Sequence, residues 1–185
     1  MTRTDIKLGG FGGQGIILSG YILGKAATIF EDKEAVLTQS YGPEARGGAC
    51  SADVVISEGK VDYPYLKDIG ILVVMSQEAY TTYTKTLDPG GQLLIDEDLV
   101  KIDKKQIQKM KWKLFRIPAT SFAEELGKKI VANIVMLGFF TAVTDVVSHD
   151  AMKNAIFSSV PKGTEGLNES AFNKGYEHGN AAKSR

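Results

Sequence analysis

Residues 5–30 read DIKLGGFGGQGIILSGYILGKAATIF, and the fold is decided there. Residues 5–8 are a short strand-like run that enters a glycine cluster at 9–15. Beyond the cluster, Ile16, Ile17, Ile22, Leu23, Ala26, Ala27 and Phe30 recur at helical spacing. Gly10, Gly12 and Gly15 satisfy G-x-G-x-x-G between a strand and a helix, the setting in which that spacing has a mechanical meaning. Glycine permits positive φ and close approach, and the following helix turns unpaired N–H groups toward an anion. Residues 35–38 then read as a second strand, a brief apolar run suited to a parallel sheet covered on both faces, which completes a β-α-β unit.

Outward from this unit the alternation continues. Residues 40–48, SYGPEARGG, form a loop dense in turn residues. Residues 51–57 are strand-like, Glu58 and Gly59 a turn, and residues 60–63 a hairpin return. Residues 69–75 give the strongest strand signal. A helix over 77–85 ends before Asp88, Pro89, Gly90 and Gly91, and strands follow at 92–95 and 112–117. Helices are expected from Pro118 to Leu126, over 130–147, over 150–158 and over 168–182. Strands separated by helices predict an α/β fold: a three-layer αβα sandwich, Rossmann-like, around a mostly parallel or mixed sheet. In such sheets ligands meet the loops at the carboxyl ends of strands, an edge both glycine-rich loops would share.

A chain of 185 residues, 43% hydrophobic and 24% charged, buries one substantial core, so residues 1–185 read as a single domain. Lys plus Arg and Asp plus Glu number 22 each, which speaks against nucleic acid as a partner. The single cysteine, Cys50, excludes an internal disulfide and an iron–sulfur cluster held by this chain alone. The polar residues 1–7 lack a secretory pattern, and the apolar run 130–147 contains Asn133, Thr141, Thr144 and Asp145. A buried helix rather than a membrane span is expected there, and a cytoplasmic protein overall.

Several residues carry possible chemistry. A dinucleotide site also wants an acidic residue about 20 positions beyond the glycines, where Gln39 and Ser40 stand instead. The glycine turn therefore has three readings: a stand-alone Rossmann-like nucleotide-binding module, a tight turn that only packs the helix, or amides offered to an anion at a subunit interface. In the second loop Arg46 can grip a carboxylate or phosphate bidentately, with Gly47 and Gly48 allowing close approach. The alternative is an Arg46–Glu44 surface pair worth little. Cys50 has no histidine near it in sequence and reads as structural, and His149 and His178 read as solvated. Six lysines between 101 and 113, interleaved with Ile102, Ile107, Met110 and Trp112, fit a solvated amphipathic helix or a surface for an acidic partner. Asn133, Met136 and Gly138 lie in an apolar helix, where the amide needs a partner, at an interface or across a neighbouring loop.

The motifs GGFGGQG, SYGPEARGG with SADVVIS, DIGILVVMSQEAY, IPAT and NIVMLG, in this order, resemble the gamma subunit of 2-oxoacid:ferredoxin oxidoreductases. The likeness runs from Ile6 to Tyr176 and takes in the tail residues Asn168, Ala171, Phe172, Gly175 and Tyr176. It implies an enzyme that decarboxylates a 2-oxoacid on thiamine diphosphate, sends two electrons through iron–sulfur clusters to ferredoxin and releases an acyl-CoA. The tail is most similar to the 2-oxoglutarate branch. The resemblance implies that thiamine diphosphate, magnesium and the clusters sit on partner subunits (alpha, beta and delta) with coenzyme A as co-substrate of the complex, and that this chain alone binds none of these cofactors. It places Gly12, Gly13, Gln14 and Gly15 in one loop, and Tyr41, Arg46, Gly47 and Gly48 in another. Both would line or support a cleft shared with partners. No proton-transfer role falls to any of them.

Overall fold

The computed structural model describes residues 3–41 and 49–183, Tyr41 by its backbone alone. One six-stranded sheet organises them: β1 (Arg3–Phe11), β2 (Glu34–Tyr41), β3 (Ala49–Ser57), β4 (Ile69–Val74), β5 (Leu87–Asp96) and β6 (Lys113–Ile117), in the order β2-β3-β1-β4-β5-β6. The helices are α1 (Ile16–Phe30), α2 (Gln77–Tyr83), α3 (Lys104–Met110), α4 (Ala119–Glu125), α5 (Ala132–Thr144), α6 (His149–Phe157) and α7 (Glu165–Lys183). β1, β4, β5 and β6 pair in parallel, while β3 runs antiparallel to both β1 and β2. The sheet is therefore mixed, with one reversed strand.

Alternation along β1 explains the layers. Ile6 and Leu8 enter the core packed by α1, α4, α5, α6 and α7, and Asp5 and Lys7 point to the face shared with α2 and α3. Both charges are buried and matched. Asp5 accepts from Arg3 Nε at 2.7 Å and from the Lys67 amide at 2.6 Å, and Lys7 meets Asp53 at 2.5 Å. The run 130–147 becomes α5, every residue of which from Ala132 to Val143 is buried in protein. Among the described residues no helix is long and apolar enough to cross a membrane.

Three expectations change. Residues 35–38 do form a strand, but β2 is a half-buried edge pairing only with β3. β3 lies between β1 and β2, which the local apolar run could not reveal. No hairpin returns at 60–63: Arg3 donates to the carbonyls of Tyr63 and Tyr65 at 3.0 and 2.7 Å and holds that segment as a loop. Asp88 to Gly91 do not precede the fifth strand but lie within it, where the register slips from Ile69 opposite Leu87 to Ile71 opposite Gln92. The slip absorbs Pro89, which has no N–H for the ladder.

Candidate functional site

β1 and β4 are parallel neighbours, yet α1 leaves the end of β1 toward one face of the sheet and α2 leaves β4 toward the other. Divergence of this kind opens a crevice at the carboxyl ends of the strands, and the glycine loop lies in it. Gln14 shapes the loop. Its Oε1 accepts from the Phe11 amide at 2.7 Å, and its Nε2 donates to the Met75 carbonyl at 2.8 Å. Because Met75 N also donates to Gly9 O at 2.9 Å, the side chain of Gln14 ties the β1 and β4 turns together. Both ends of its amide are engaged within the chain.

Gly13 and Gly15 take φ of 95° and 73°, the left-handed region that favours glycine. A side chain at Gly15 would strike Asn133, whose Nδ2 lies 3.4 Å from Gly15 O. The buried amide of α5 thus bridges to the glycine loop, one of the roles its sequence left open. Among the described residues nothing lies within 4 Å of the place a Cβ would take at Gly12 or Gly13. Gly15 is the N-cap of α1 and supplies no side-chain cap, so the first-turn amides face the opening with the positive end of the helix dipole.

Two cavities flank this point. One of about 320 Å³ is bordered by Gly13, Met75, Thr120, Lys129 and Ile130. The other, about 470 Å³ and largely apolar, is bordered by Gly15, Leu18, Ile130, Ile134, Val160 and Leu167, and Gly13 and Ile130 belong to both. Below the first lies Asp96, fully buried at the end of β5. It accepts from Thr120 Oγ1 at 2.6 Å and from the Asp98 amide at 3.2 Å. Burial pushes its carboxyl above the ordinary range in spite of these bonds. Sequence reasoning missed Asp96, although an acid directly closing the apolar run Leu93, Leu94, Ile95, the first of three in Asp96, Glu97 and Asp98, was the available sign.

The second loop starts from the same edge. Tyr41 ends β2 opposite Cys50, and Cys50 lies opposite Gly10 on β1. Arg46, Gly47 and Gly48 lie outside the described residues. Cys50 is buried, and burial raises its thiol, as suits a structural side chain. The histidines are not simply solvated. His149 packs on Phe172 and Tyr176 with ring centroids at 5.1 and 4.6 Å, and His178 lies against Phe122 and Phe139 at 5.5 and 5.8 Å. The six lysines from 101 to 113 are all exposed, while Ile107, Met110 and Trp112 anchor α3 to the sheet.

A dinucleotide would find little here. With β3 interposed, the end of β2 lies two strand spacings from β1, roughly 10 Å, and carries Gln39 and Ser40 rather than an acid. Among the described residues no group of three His, Cys, Asp or Glu side chains could hold a metal ion.

A Rossmann-like sheet with one reversed strand and, at the carboxyl ends of its strands, a glycine-loop crevice with apolar borders defines the class of α/β fold. The chain belongs to the pyruvate ferredoxin/flavodoxin oxidoreductase family, whose model matches residues 5–178. It is 53% identical over 176 residues to the 2-oxoglutarate synthase subunit KorC of Methanocaldococcus jannaschii, covering 95% of this chain and 93% of that one. The gamma subunit of keto/oxoacid ferredoxin oxidoreductase from Geobacter sulfurreducens superposes with a TM-score of 0.88 at 41% identity, over 98% and 99% of the two chains. The 2-oxoglutarate:ferredoxin oxidoreductase of Magnetococcus marinus, with 2-oxoglutarate, coenzyme A and succinyl-CoA bound, matches at 22% identity with a TM-score of 0.85. There 98% of this chain corresponds to 32% of the longer one, a likeness of fold.

Proposed function

We propose that this chain, working as a single domain in the cytoplasm, is the gamma subunit of a 2-oxoglutarate:ferredoxin oxidoreductase. The reaction is CoA-dependent oxidative decarboxylation of the oxoacid to an acyl-CoA, with two electrons passed to ferredoxin. The reading rests chiefly on the open glycine turn at the divergence of α1 and α2, in a chain half identical to a 2-oxoglutarate synthase subunit.

The donor set of this chain suits neither a cluster nor a magnesium ion, since it has one cysteine and, among the described residues, no acidic or histidine group of ligand geometry. Alpha, beta and delta chains supply thiamine diphosphate, magnesium and the clusters. The contribution of this chain is positioning. The first-turn amides of α1 and the ammonium of Lys129 favour an anionic group of substrate or coenzyme at the crevice. Met75 and Ile130 limit water there, which strengthens those interactions. Gln14, which borders the first cavity, ties the Gly12–Gly13 turn to β4, and Arg46, with Tyr41, Gly47 and Gly48, adds a second set of donors from the neighbouring loop.

The experiment is co-production with candidate alpha and beta chains, followed by viologen reduction with 2-oxoglutarate and coenzyme A. Activity should require this chain, and full turnover by a complex lacking it would overturn the reading. Arg46→Ala should assemble normally and raise the KM for coenzyme A roughly tenfold or more, the loss of one charge-assisted contact. Unchanged turnover and unchanged coenzyme A dependence would leave the loop a scaffold role only.

A further inference from the structure

α1 has fifteen residues and one charge, Lys25, whereas a helix lying on a protein surface ordinarily turns a charged stripe to water. Its inner side is conventional, with Ile16, Ile22, Leu23, Ala26 and Ala27 buried. Its outer side carries Leu18, Tyr21 and Ile29 on one stripe, and these are 38%, 51% and 67% exposed. Lys25 is the one charge on this side; its ammonium lies 5.8 Å from the Tyr21 ring centroid and donates to the Ser158 carbonyl at the end of α6, 3.0 Å away. Gly24 faces the same way with open space where a Cβ would stand. A mid-helix glycine weakens a helix unless another surface must approach closely, and none among the described residues does.

The surroundings extend the stripe. A groove of about 330 Å³ runs between α1 and β2, bordered by Tyr21, Gly24, Ile29, Ala35 and Leu37 together with the polar Lys25 and Thr28. At the other end Leu18 shares the larger apolar cavity with Ile130, which is 75% exposed. Of the eight large hydrophobic side chains exposed among the described residues, six (Phe11, Leu18, Tyr21, Ile29, Phe30 and Ile130) lie on α1 or border its start. Apolar surface concentrated in this way marks an interaction site.

We propose that the outer face of α1 docks the larger, oxoacid-processing chain of the complex through an apolar surface of that chain. The inference rests on the subunit reading and adds where the partner sits. The same fold makes up 32% of a single polypeptide in the Magnetococcus marinus enzyme. Where the parts are separate chains, a surface contact must replace the covalent link. The stripe is continuous with the glycine loop, because Gly13 and Leu18 border one cavity, so a chain seated on α1 reaches the crevice. A second copy of this chain on the same face would set two such loops together and bring neither thiamine nor cluster.

The test uses the full-length chain co-produced with alpha and beta chains and captured through a tag on the larger one. Combined Tyr21→Lys and Ile29→Lys should weaken recovery roughly 100-fold or more, since each sets a charge into a desolvated apolar contact. The isolated variant should keep the circular dichroism and melting point of the wild type. Tyr65→Lys, at a comparably exposed aromatic outside this face, should change nothing. A photo-crosslinker, Tyr21→p-benzoylphenylalanine, should capture the larger chain, and that readout serves even if the double lysine variant misfolds. Equal recovery of wild type and double variant, or no crosslink in an active complex, overturns the docking site while the subunit reading stands. Failure of the wild type to assemble with any such chain removes the subunit reading itself. An isolated wild-type chain that sediments as a dimer, dispersed by the two lysines, would assign the face to a second copy and overturn the proposal.

Discussion

α5 and α1 share an unusual composition: α5 carries no charged residue and α1 carries one. Their surroundings differ. α5 is enclosed, because α7 lies along the side that the sheet does not cover, with Ala171, Phe172 and Gly175 turned inward and its glutamates and lysines outward. The approach is close enough that a Cβ at Gly175 would run into the carbonyl of Val135, and one at Gly138 into the carbonyl of Phe172. α1 meets α6 only along its flank, and its far side has no α7. The same sequence signature, an apolar helix without a polar stripe, is satisfied within the chain in one case and, among the described residues, left uncovered on one side in the other.

The contrast is broken most severely at the covered helix. Gly175→Ala forces two backbones apart where no side chain can yield, and we expect a loss of about 3 kcal/mol or more in urea denaturation of the isolated chain. A loss below about 1 kcal/mol would mean that α7 sits on α5 loosely, and the distinction between the helices would weaken. Gly15→Ala comes next, at about 2 kcal/mol, because it combines a positive φ with a collision on Asn133. Adding Asn133→Ala should recover part of that loss, since it clears the collision but not the backbone strain. Strict additivity of the two changes would show that Asn133 does not brace the glycine loop.

What could be read in advance divides along the same physical line. The β1 turn, α1 and α5 were legible because their signals are local, glycine spacing and helical periodicity, while the tail residues Asn168, Ala171, Phe172 and Gly175 entered through the family resemblance. The insertion of β3 between β1 and β2 was not, because ladder pairing is a long-range choice and residues 35–38 carry the same apolar run whether central or at an edge. The loop at 60–63 escaped because it is held by Arg3 from 60 residues away. At the candidate site the glycine positions were visible. The bridge made by Gln14 between two turns, and the burial of Asp96, depend on which strands become neighbours. The lysines at 101–113 show the converse: all are exposed while Ile107, Met110 and Trp112 anchor their segment to the sheet, an amphipathic division that α1 lacks.

The smallest expected effect bears most directly on the open helix. At Gly24 nothing among the described residues lies within 4 Å of the place a Cβ would take, and the residue sits in the interior of α1 without positive φ. Gly24→Ala should therefore stabilise the isolated chain by roughly 0.5–1 kcal/mol, through lost freedom of the unfolded chain. In the assembled complex the gain should vanish or reverse if a partner backbone approaches that side. Paired urea denaturation curves, one on the isolated chain and one on the complex, separate the cases. A destabilised isolated variant would mean that the outer face of α1 is already occupied from within, and the comparison with α5 would fail at its premise. An equal gain in both states would instead leave the helix open in the complex as well, and would move the partner's contact to the Ile130 end of the stripe.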